Sequence, residues 1–599
     1  MDAFSEKLDP IVFAVIKARV DGIIAQMAEV VLRTSRNPIL NLAKDFTCSV
    51  LTRDCKLLTM VNSLPIHLLA LDSNLRHVVE AFQGDIHPGD CFVNNDPYYG
   101  NSHVGDVVMF APVFYEGELI CWAASLCHLI DIGLHIPSSL NAEAKDVYEE
   151  GLHIPPLRIA NDYNEIPEII RLIKANFRYP EQWHGDFLAQ VGSLWKGEQE
   201  IIKLCQKYGG ETIKRFQDEY LQYGDRLMAE EIKKLPKGEW SAEARTEKME
   251  PLCPEGLLLK MKIRIDPDKA KITFDLTEMP DALPWGFNLS EACSRGAIIQ
   301  GLLPSLDPSL PRNDGVFRHI EVLLREGAVV GIPKWPASTS LATMGITDYV
   351  SNMVLNIWEE IVPGRGHGGH GFEGATVSTT SGTDFRKGHA PYGNLNLFAS
   401  SGSGASKGYD GWPNFLAANV GGSVIQSSVE LTELASPQLI WELGVLADSG
   451  GPGQWRGGTA TYHRIQPRHH TLTLVAYGVG HTAAPLGVAG GKPGSLQDHW
   501  KESHSSREKI QRFSNVGIFQ VKQDEDWVCL ANGGGGYGDP LERDPELVRD
   551  DARNGFISVQ AAKDEYGVVL DTEAELYRVD YQATLALRRA RLKQNRGEG

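Results

Sequence analysis

The sequence lacks the features of a membrane protein and of a secreted protein. No run approaches the roughly 20 consecutive apolar residues that a helix needs to span a bilayer. The N-terminus MDAFSEKLDP is polar and acidic, without the basic stretch and apolar core of a secretory signal. The nine cysteines are scattered and include no C-x-x-C pair, which is typical of reduced thiols. We therefore expect a cytoplasmic protein that has no membrane partner.

Positive charge is scarce relative to negative charge. The chain has 58 lysines and arginines against 77 aspartates and glutamates, a formal net charge of -19. A surface of that sign repels phosphate backbones, so we expect no nucleic-acid partner.

Nucleotide and nucleophile motifs are also missing. No lysine follows the run Gly533–Gly536, and the segment GRGHGGHG (364–371) has neither the dinucleotide spacing nor the flanking strand and helix. We interpret both glycine runs as tight turns or places of close packing. The chain has no G-x-S-x-G, and Cys127 points to the opposite side of its strand from His128, which argues against a Cys-His dyad.

The composition is that of a folded protein with several domains. Apolar residues make up 42% and charged residues 23% of 599 residues, too many for one ordinary core. We predict a mixed α+β, multidomain chain whose β-rich N-terminal and C-terminal halves are joined by a helical region. The predicted segments are an α+β domain at 1–135, a mostly helical region at 136–250, an α+β region at 251–362, glycine-rich loops with a β-rich domain at 363–540, and a helical tail at 541–599.

Three local patterns place the first elements. Asp9-Pro10 predicts a capped helix start, followed by apolar residues at spacings of three and four. The segments FTCSVLT (46–52) and KLLTMV (56–61) predict two strands joined by a turn. The apolar runs on either side of Glu116-Gly117-Glu118 predict a hairpin.

The strongest chemical pattern lies in the N-terminal segment. NNDPYYGNSHVGDV (94–107) carries Asp96, His103 and Asp106 in one segment, and CHLIDIG (127–133) places His128 and Asp131 on the hairpin strand that follows. Imidazole nitrogens and carboxylate oxygens bind borderline and hard divalent cations, and two histidines with one carboxylate leave positions open for substrate.

Asp45, which opens the strand 46–52, is a candidate for a fourth ligand of this site. The same residues also fit ordinary turn chemistry, so the pattern alone leaves both interpretations open. His367 and His370 form a weaker candidate, because a glycine-rich loop is a poorly preorganised ligand set.

Six segments in one order carry a resemblance that extends over nearly the whole chain. They are RTSRNPILNLAKDFTCSVLTRD (33–54), NNDPYYGNSHVGDVVMFAPVFYEGEL (94–119), IPSSLNAEAKDVYEEGLHIPPLRI (136–159), LPRNDGVFRHIEV (310–322), LADSGGPGQWRGG (446–458) and ANGGGGYGDPLERDPELVRDDARNGFIS (531–558). In order and spacing they resemble the hydantoinase B/oxoprolinase family. The resemblance implies an A-type partner subunit of the actin-like ATPase fold, which binds ATP and phosphorylates a carbonyl or enol oxygen. Further small subunits are compatible with it.

The resemblance also implies a metal site. The family's G-T-H-x-x-D and H-H-x-D-V-G segments imply His103, Asp106 and His128 as ligands of Mn, Zn or Mg and as catalytic residues, with Asp45 as a further ligand. Two positions depart from the family pattern. A glutamate is replaced by Leu42 and a second histidine by Leu129, and leucine cannot bind a metal.

These apolar replacements favour the branch of the family that acts on aryl ketones, because a more apolar pocket would suit an aromatic substrate. The first hypothesis is therefore a subunit of an ATP-dependent, acetophenone-type ketone carboxylase, with bicarbonate as co-substrate. The alternative is the B subunit of an ATP-dependent hydantoinase, 5-oxoprolinase or lactamase. A second alternative is a non-catalytic assembly subunit of such a complex.

Overall fold

The computed structural model describes residues 7–60, 64–250, 252–373, 378–573 and 576–595. Within these ranges it contains thirteen α-helices and five β-sheets, which confirms the predicted mixed architecture. The chain forms two compact units. The first comprises Met1–Ser241, Leu259–Thr347 and Ser423–Ile425, and the second comprises Ala242–Leu258, Asp348–Gly422 and Gln426–Gly599. Neither unit is one continuous stretch, and the five-segment organisation stays a prediction.

A seven-stranded sheet forms the centre of the first unit. Its strands, in spatial order, are Leu57–Met60, Phe46–Thr52, Glu118–His128, Asp106–Tyr115, Cys91–Asn94, Leu157–Asn161 and Asn164–Glu165. All adjacent pairs are antiparallel. The predicted hairpin is present, and Glu116 and Gly117 both have positive φ, as its tight turn requires. The last two strands come from the region that was predicted to be mostly helical.

Helices cover this sheet. The helices of the first unit are Pro10–Thr34, Pro38–Asn41, Ala70–Ala81, Pro167–Asn176, Pro180–Tyr208, Gly210–Ile232, Glu291–Leu302 and Asp314–Phe317. The predicted helix start is confirmed, since the Asp9 carboxylate accepts hydrogen bonds from two backbone N–H groups of the first turn. Gln190 anchors the longest helix to the sheet, because its Nε2 donates to the carbonyl oxygens of Val107 (3.0 Å) and Ser125 (2.9 Å).

The remaining sheets are smaller. A four-stranded sheet has the order Ile320–Leu323, Lys271–Asp275, Leu258–Asp266 and Gly238–Arg245. The second unit contains three sheets. The first has four strands in the order Ala390–Asn396, Ser378–Asp384, Leu472–Ala476 and Gly517–Val521, and the second has five strands in the order Gln438–Val445, Thr461–Pro467, Glu525–Leu530, Asp498–Ser503 and Lys509–Arg512. The third is the pair Leu570–Asp571 and Arg578–Val579. Its helices are Ile346–Ile361 (which begins two residues before the unit), Val429–Ala435, Pro545–Arg553, Val559–Asp564 and Tyr581–Asn595. Over the described part of the chain, no helix is both long enough and apolar enough to cross a membrane.

The glycine-rich segments of the second unit pack backbone against backbone. A Cβ atom on Gly404 would lie 1.8 Å from the carbonyl oxygen of Gly368, and one on Gly534 would lie 1.9 Å from that of Ser403. The segments are also joined by hydrogen bonds, for example from Gly535 N to Gly369 O at 2.8 Å. Glycine is required here because any side chain would occupy the space of a neighbouring backbone.

Candidate metal centre

The ends of three neighbouring strands bring the N-terminal site residues together. Asp106 begins one strand, His128 ends the next, and the two are direct partners in the antiparallel register. Asp45 precedes the third strand, and its carbonyl oxygen accepts a hydrogen bond from the backbone N–H of His128 at 3.2 Å. Directly paired residues project to the same face of a sheet. The register therefore places the Asp106 and His128 side chains next to each other.

His103 joins these two residues from the loop before Asp106. His128 Nδ1 lies 3.3 Å from Asp106 Oδ1, and His103 Nε2 lies 3.3 Å from Asp106 Oδ2. The two imidazole rings are 5.0 Å apart between centroids. Each of the three residues offers a ligand atom that lies within 4.8 Å of the other two. Among the described residues, this is the one such group of three.

The three side chains are buried and only partly hydrogen-bonded. His103 and Asp106 are 0% exposed and His128 is 7% exposed. His103 Nε2 and Asp106 Oδ1 have no hydrogen-bond partner. Buried polar atoms without partners are unfavourable, and a bound cation would satisfy both. Two imidazoles and a carboxylate also match the donors that zinc and manganese take, so the residues fit a divalent metal.

The electrostatics of the group favour a charged Asp106. Burial raises the pKa of this carboxyl, but the imidazoles of His103 and His67 outweigh it, and the pKa lies well below its usual range. For His128, burial lowers the pKa, while Asp106 and Asp45 raise it to a net value above the usual one. Burial raises the pKa of Asp45. A buried carboxylate stabilised in this way is suited to bind a cation.

Asn101 shapes the loop that carries His103. Its Nδ2 lies within hydrogen-bond distance of the carbonyl oxygens of His103 (2.9 Å) and Asp106 (2.7 Å), and its Oδ1 accepts from Asn74 Nδ2 at 3.1 Å. The next residue, Ser102, donates its Oγ hydrogen to Asp106 Oδ2. These buried contacts hold the backbone turn that brings the side chains of His103 and Asp106 together.

His67 is a neighbour of the site that the sequence interpretation missed. It ends the short 3₁₀ helix Pro65–His67, is 2% exposed, and its Nε2 lies 3.4 Å from Asp106 Oδ2. Its Nδ1 is 2.9 Å from Thr47 Oγ1. No spacing rule connects a single histidine at 67 with the pair at 103 and 106, so local sequence offered no signal.

Other predicted residues do not join the group of three. Asp45 Oδ2 lies 3.8 Å from His128 Nδ1, and its role as fourth ligand stays a prediction. Asp96 faces His153, with 3.5 Å between Oδ1 and Nδ1. Asp131 lies beyond the strand on which it was predicted, and it forms an ion pair with Arg178 at 2.9 Å.

The two leucines that depart from the family pattern have no donor atoms on their side chains. Leu129 is 3% exposed and lines a small cavity together with Phe177, Tyr179 and Trp183. The free space in that cavity accommodates about one water molecule. The prediction of an apolar pocket for an aromatic substrate gains no support from this cavity.

The glycine-loop candidate in the second unit has a packing role for one of its histidines. His370 is 7% exposed, and its Nδ1 accepts a hydrogen bond from Gly404 N at 2.9 Å. Burial and the neighbouring His367 lower the pKa of His370 to about 3. A neutral ring fixed to the backbone therefore helps to hold the glycine segments together.

Comparisons with known proteins agree over almost the full length of the chain. The family model for hydantoinase B/oxoprolinase matches residues 9–540. Caprolactamase subunit beta of Pseudomonas jessenii is 31% identical over 587 residues, which cover 97% of this chain and 99% of that protein. The crystal structure of the ATP-dependent caprolactamase from the same organism gives a TM-score of 0.85 at 28% identity, covering 98% of this chain and 100% of that chain. The delta subunit of acetophenone carboxylase from Aromatoleum aromaticum (strain DSM 19018 / LMG 30748 / EbN1) is 24% identical over 637 residues, covering 99% of this chain and 90% of that protein.

Proposed function

Because the chain belongs to the hydantoinase B/oxoprolinase family, we propose that it is the B-type subunit of an ATP-dependent complex that opens a cyclic amide. The observation that carries the proposal is the convergence of His103, Asp106 and His128 on one buried point. The full-length likeness to a caprolactamase subunit supports an amide ring as the substrate class.

The three residues would hold a divalent cation, with Asp45 beside them. When bound, such an ion polarises a carbonyl group and stabilises the oxyanion that develops when the amide is attacked. Ser139 Oγ lies 3.0 Å from His128 Nε2, which leaves Nδ1 of that ring directed at Asp106. Ser102 engages Oδ2 of Asp106, so that Oδ1 stays free. In His128 and Asp106, the chain thus supplies ligands whose other polar atoms are already occupied.

ATP is proposed to act on a partner subunit. The sequence contains no nucleotide-binding motif, in agreement with a division of labour in which an A-type ATPase phosphorylates the substrate oxygen. Phosphorylation of an amide oxygen makes the carbonyl carbon a better electrophile, and the B-type chain then provides the site where the ring opens.

A ketone carboxylase is the second candidate. It is supported by the likeness of 99% of this chain to a subunit of acetophenone carboxylase, and Leu42 and Leu129 replace two ligands of the family pattern. In that case bicarbonate would be the co-substrate, and an enol phosphate would take the place of the activated amide. The lower identity to the acetophenone carboxylase subunit, 24% against 31% for the caprolactamase subunit, ranks this candidate second.

Reconstitution with an A-type ATPase subunit tests the proposal. We expect the isolated chain to consume neither ATP nor lactam, and the reconstituted complex to consume both in a coupled manner. Supplying labelled bicarbonate distinguishes the candidates, since label enters the product only in carboxylation. Lactam opening by the isolated chain without ATP would contradict the proposal.

A matched pair of histidine variants tests whether the chain is catalytic or only supports assembly. His128→Ala removes a proposed ligand, whereas His87→Ala removes an exposed histidine that is paired only with Asp85 at 3.0 Å. We expect His128→Ala to abolish turnover and His87→Ala to leave it unchanged, with both variants still binding the partner. Equal turnover in the two complexes would favour the assembly role.

A further inference from the structure

We infer that His67 is a positioning residue for Asp106 and that Thr47 supports the tautomer of His67 that this role requires. The inference rests on the proposed function, because it assigns a role toward the same metal site. His67 stands outside the group of three whose ligand atoms lie within 4.8 Å of one another, and it meets that group at Asp106. Its action is therefore on the carboxylate and not on the cation.

The chain of contacts begins at Thr47, a buried residue of the strand Phe46–Thr52. Its hydroxyl group lies 2.9 Å from Nδ1 of His67. When the hydroxyl donates to Nδ1, the ring hydrogen of the neutral imidazole must sit on Nε2. Nε2 lies 3.4 Å from Asp106 Oδ2, and an ionised carboxylate only accepts, so a hydrogen bond between them requires the hydrogen on Nε2. The hydroxyl of Thr47, which can donate or accept, then donates to Nδ1 and supports this tautomer.

The two oxygens of Asp106 have different surroundings. Oδ2 faces His67, accepts the hydrogen bond from Ser102 and lies 3.3 Å from His103 Nε2, while Oδ1 has no hydrogen-bond partner and lies 3.3 Å from His128 Nδ1. A carboxylate held at one oxygen presents the other to a cation in a fixed direction. This arrangement favours binding through a single oxygen, which leaves a coordination position open for substrate.

The contact of His67 with Asp106 matters more because two ligands of the family pattern are missing. Leu42 and Leu129 add no donor atoms, so the cation depends on the few ligands that remain. Contacts that orient such ligands typically affect metal affinity by about 10–100-fold. We expect the orientation of Asp106 to be correspondingly important in this chain.

Cobalt titration of the full-length chain tests the inference. Co²⁺ dissociation constants are measured for the parent chain and for His67→Leu, His67→Gln, Thr47→Val and the exposed control His87→Leu. We expect His67→Leu to weaken binding about 10–100-fold, because leucine cannot donate to Asp106. Glutamine places an N–H donor near the position of Nε2, so His67→Gln should retain near-parental affinity. Thr47→Val should fall between the two, and the control should match the parent.

Each outcome has a distinct meaning. Parental affinity in both His67→Leu and Thr47→Val would overturn the inference and leave the proposed metal site intact. Equal weakening by His67→Gln and His67→Leu, with unchanged circular dichroism, would also overturn it, since a donor would then not suffice. A parent chain that binds no Co²⁺ would refute the proposed site itself. Should His67→Leu fail to fold, Thr47→Val decides, because valine preserves the shape of threonine and removes only the hydroxyl.

Discussion

Replacing Gly105 by alanine tests the candidate metal centre at a point where the backbone passes close to the ring of His103. A Cβ atom at this position would lie 2.4 Å from Cε1 of His103, 3.0 Å from Nδ1 and 3.3 Å from Nε2. Ordinary van der Waals contact begins near 3.4 Å. The ring must therefore move by roughly 1 Å, the difference between these two distances. Protein ligands keep their distances to a metal within about 0.2 Å, so the displacement exceeds what the site tolerates.

The expected effect is on metal binding more than on folding. Gly105 does not have a positive φ, so alanine imposes no backbone strain. We expect the Co²⁺ dissociation constant to rise at least tenfold, which corresponds to about 1.4 kcal/mol, and turnover of the reconstituted complex to fall with it. The unfolding temperature of the metal-free chain should change little.

Gly22→Ala is the matched control for this variant. Gly22 lies within the helix Pro10–Thr34, and a Cβ atom there would meet nothing within 4 Å. Alanine in a helix interior stabilises by about 0.5–1 kcal/mol relative to glycine, and metal binding should be unaffected. If Gly105→Ala binds Co²⁺ as tightly as Gly22→Ala, His103 is not a ligand in this position and the reasoning fails.

Three further predictions concern stability. In His153, burial lowers the pKa, but Asp96 and Glu150 raise it more, to about 9. Since this folded-state value exceeds the unfolded value of 6.5, the stabilisation is complete below pH 6.5 and is lost as the pH rises through 9. The free energy of unfolding of the parent, obtained from urea titrations, should therefore fall over this range by at most about 3 kcal/mol more than that of His153→Gln. Parallel pH profiles of the two proteins would contradict the prediction. Arg543→Met removes the buried guanidinium that pairs with Asp410 and Asp551. The variant should destabilise the second unit by roughly 3 kcal/mol, as measured by calorimetry. An unchanged unfolding transition would show that these ion pairs contribute nothing to stability. Gly404→Ala forces a methyl group to within 1.8 Å of the carbonyl oxygen of Gly368. The variant should therefore lower the unfolding temperature far more than Gly22→Ala changes it. Equal unfolding temperatures in the two variants would argue against close packing of the glycine segments.

Local patterns predicted several elements correctly. The capped start at Asp9-Pro10, the strand Phe46–Thr52 and the hairpin around Glu116-Gly117 all depend on neighbouring residues, and the structure confirms them. Such signals are readable because caps, alternation and tight turns are set by interactions within a few residues.

Long-range pairing was beyond those patterns. The strand Leu157–Asn161 pairs with Cys91–Asn94, although it lies in a stretch whose composition is dominated by helix formers. The division into two units is likewise discontinuous in sequence. Both features depend on contacts between residues that are far apart along the chain, and composition carries no information about such contacts.

The candidate site likewise combines features that local patterns predict with features that depend on long-range contacts. The chemical types and the spacing of His103, Asp106 and His128 could be predicted from the sequence, and the order of six segments indicated the family. The folded chain adds that the Asp106–His128 register places two candidate ligands side by side and that His67, in contact with Thr47, reaches Asp106. It also shows that Asp96 and Asp131 turn to other partners. The chemistry of a ligand belongs to a single residue, whereas the convergence of several ligands depends on strands that pair across the sheet.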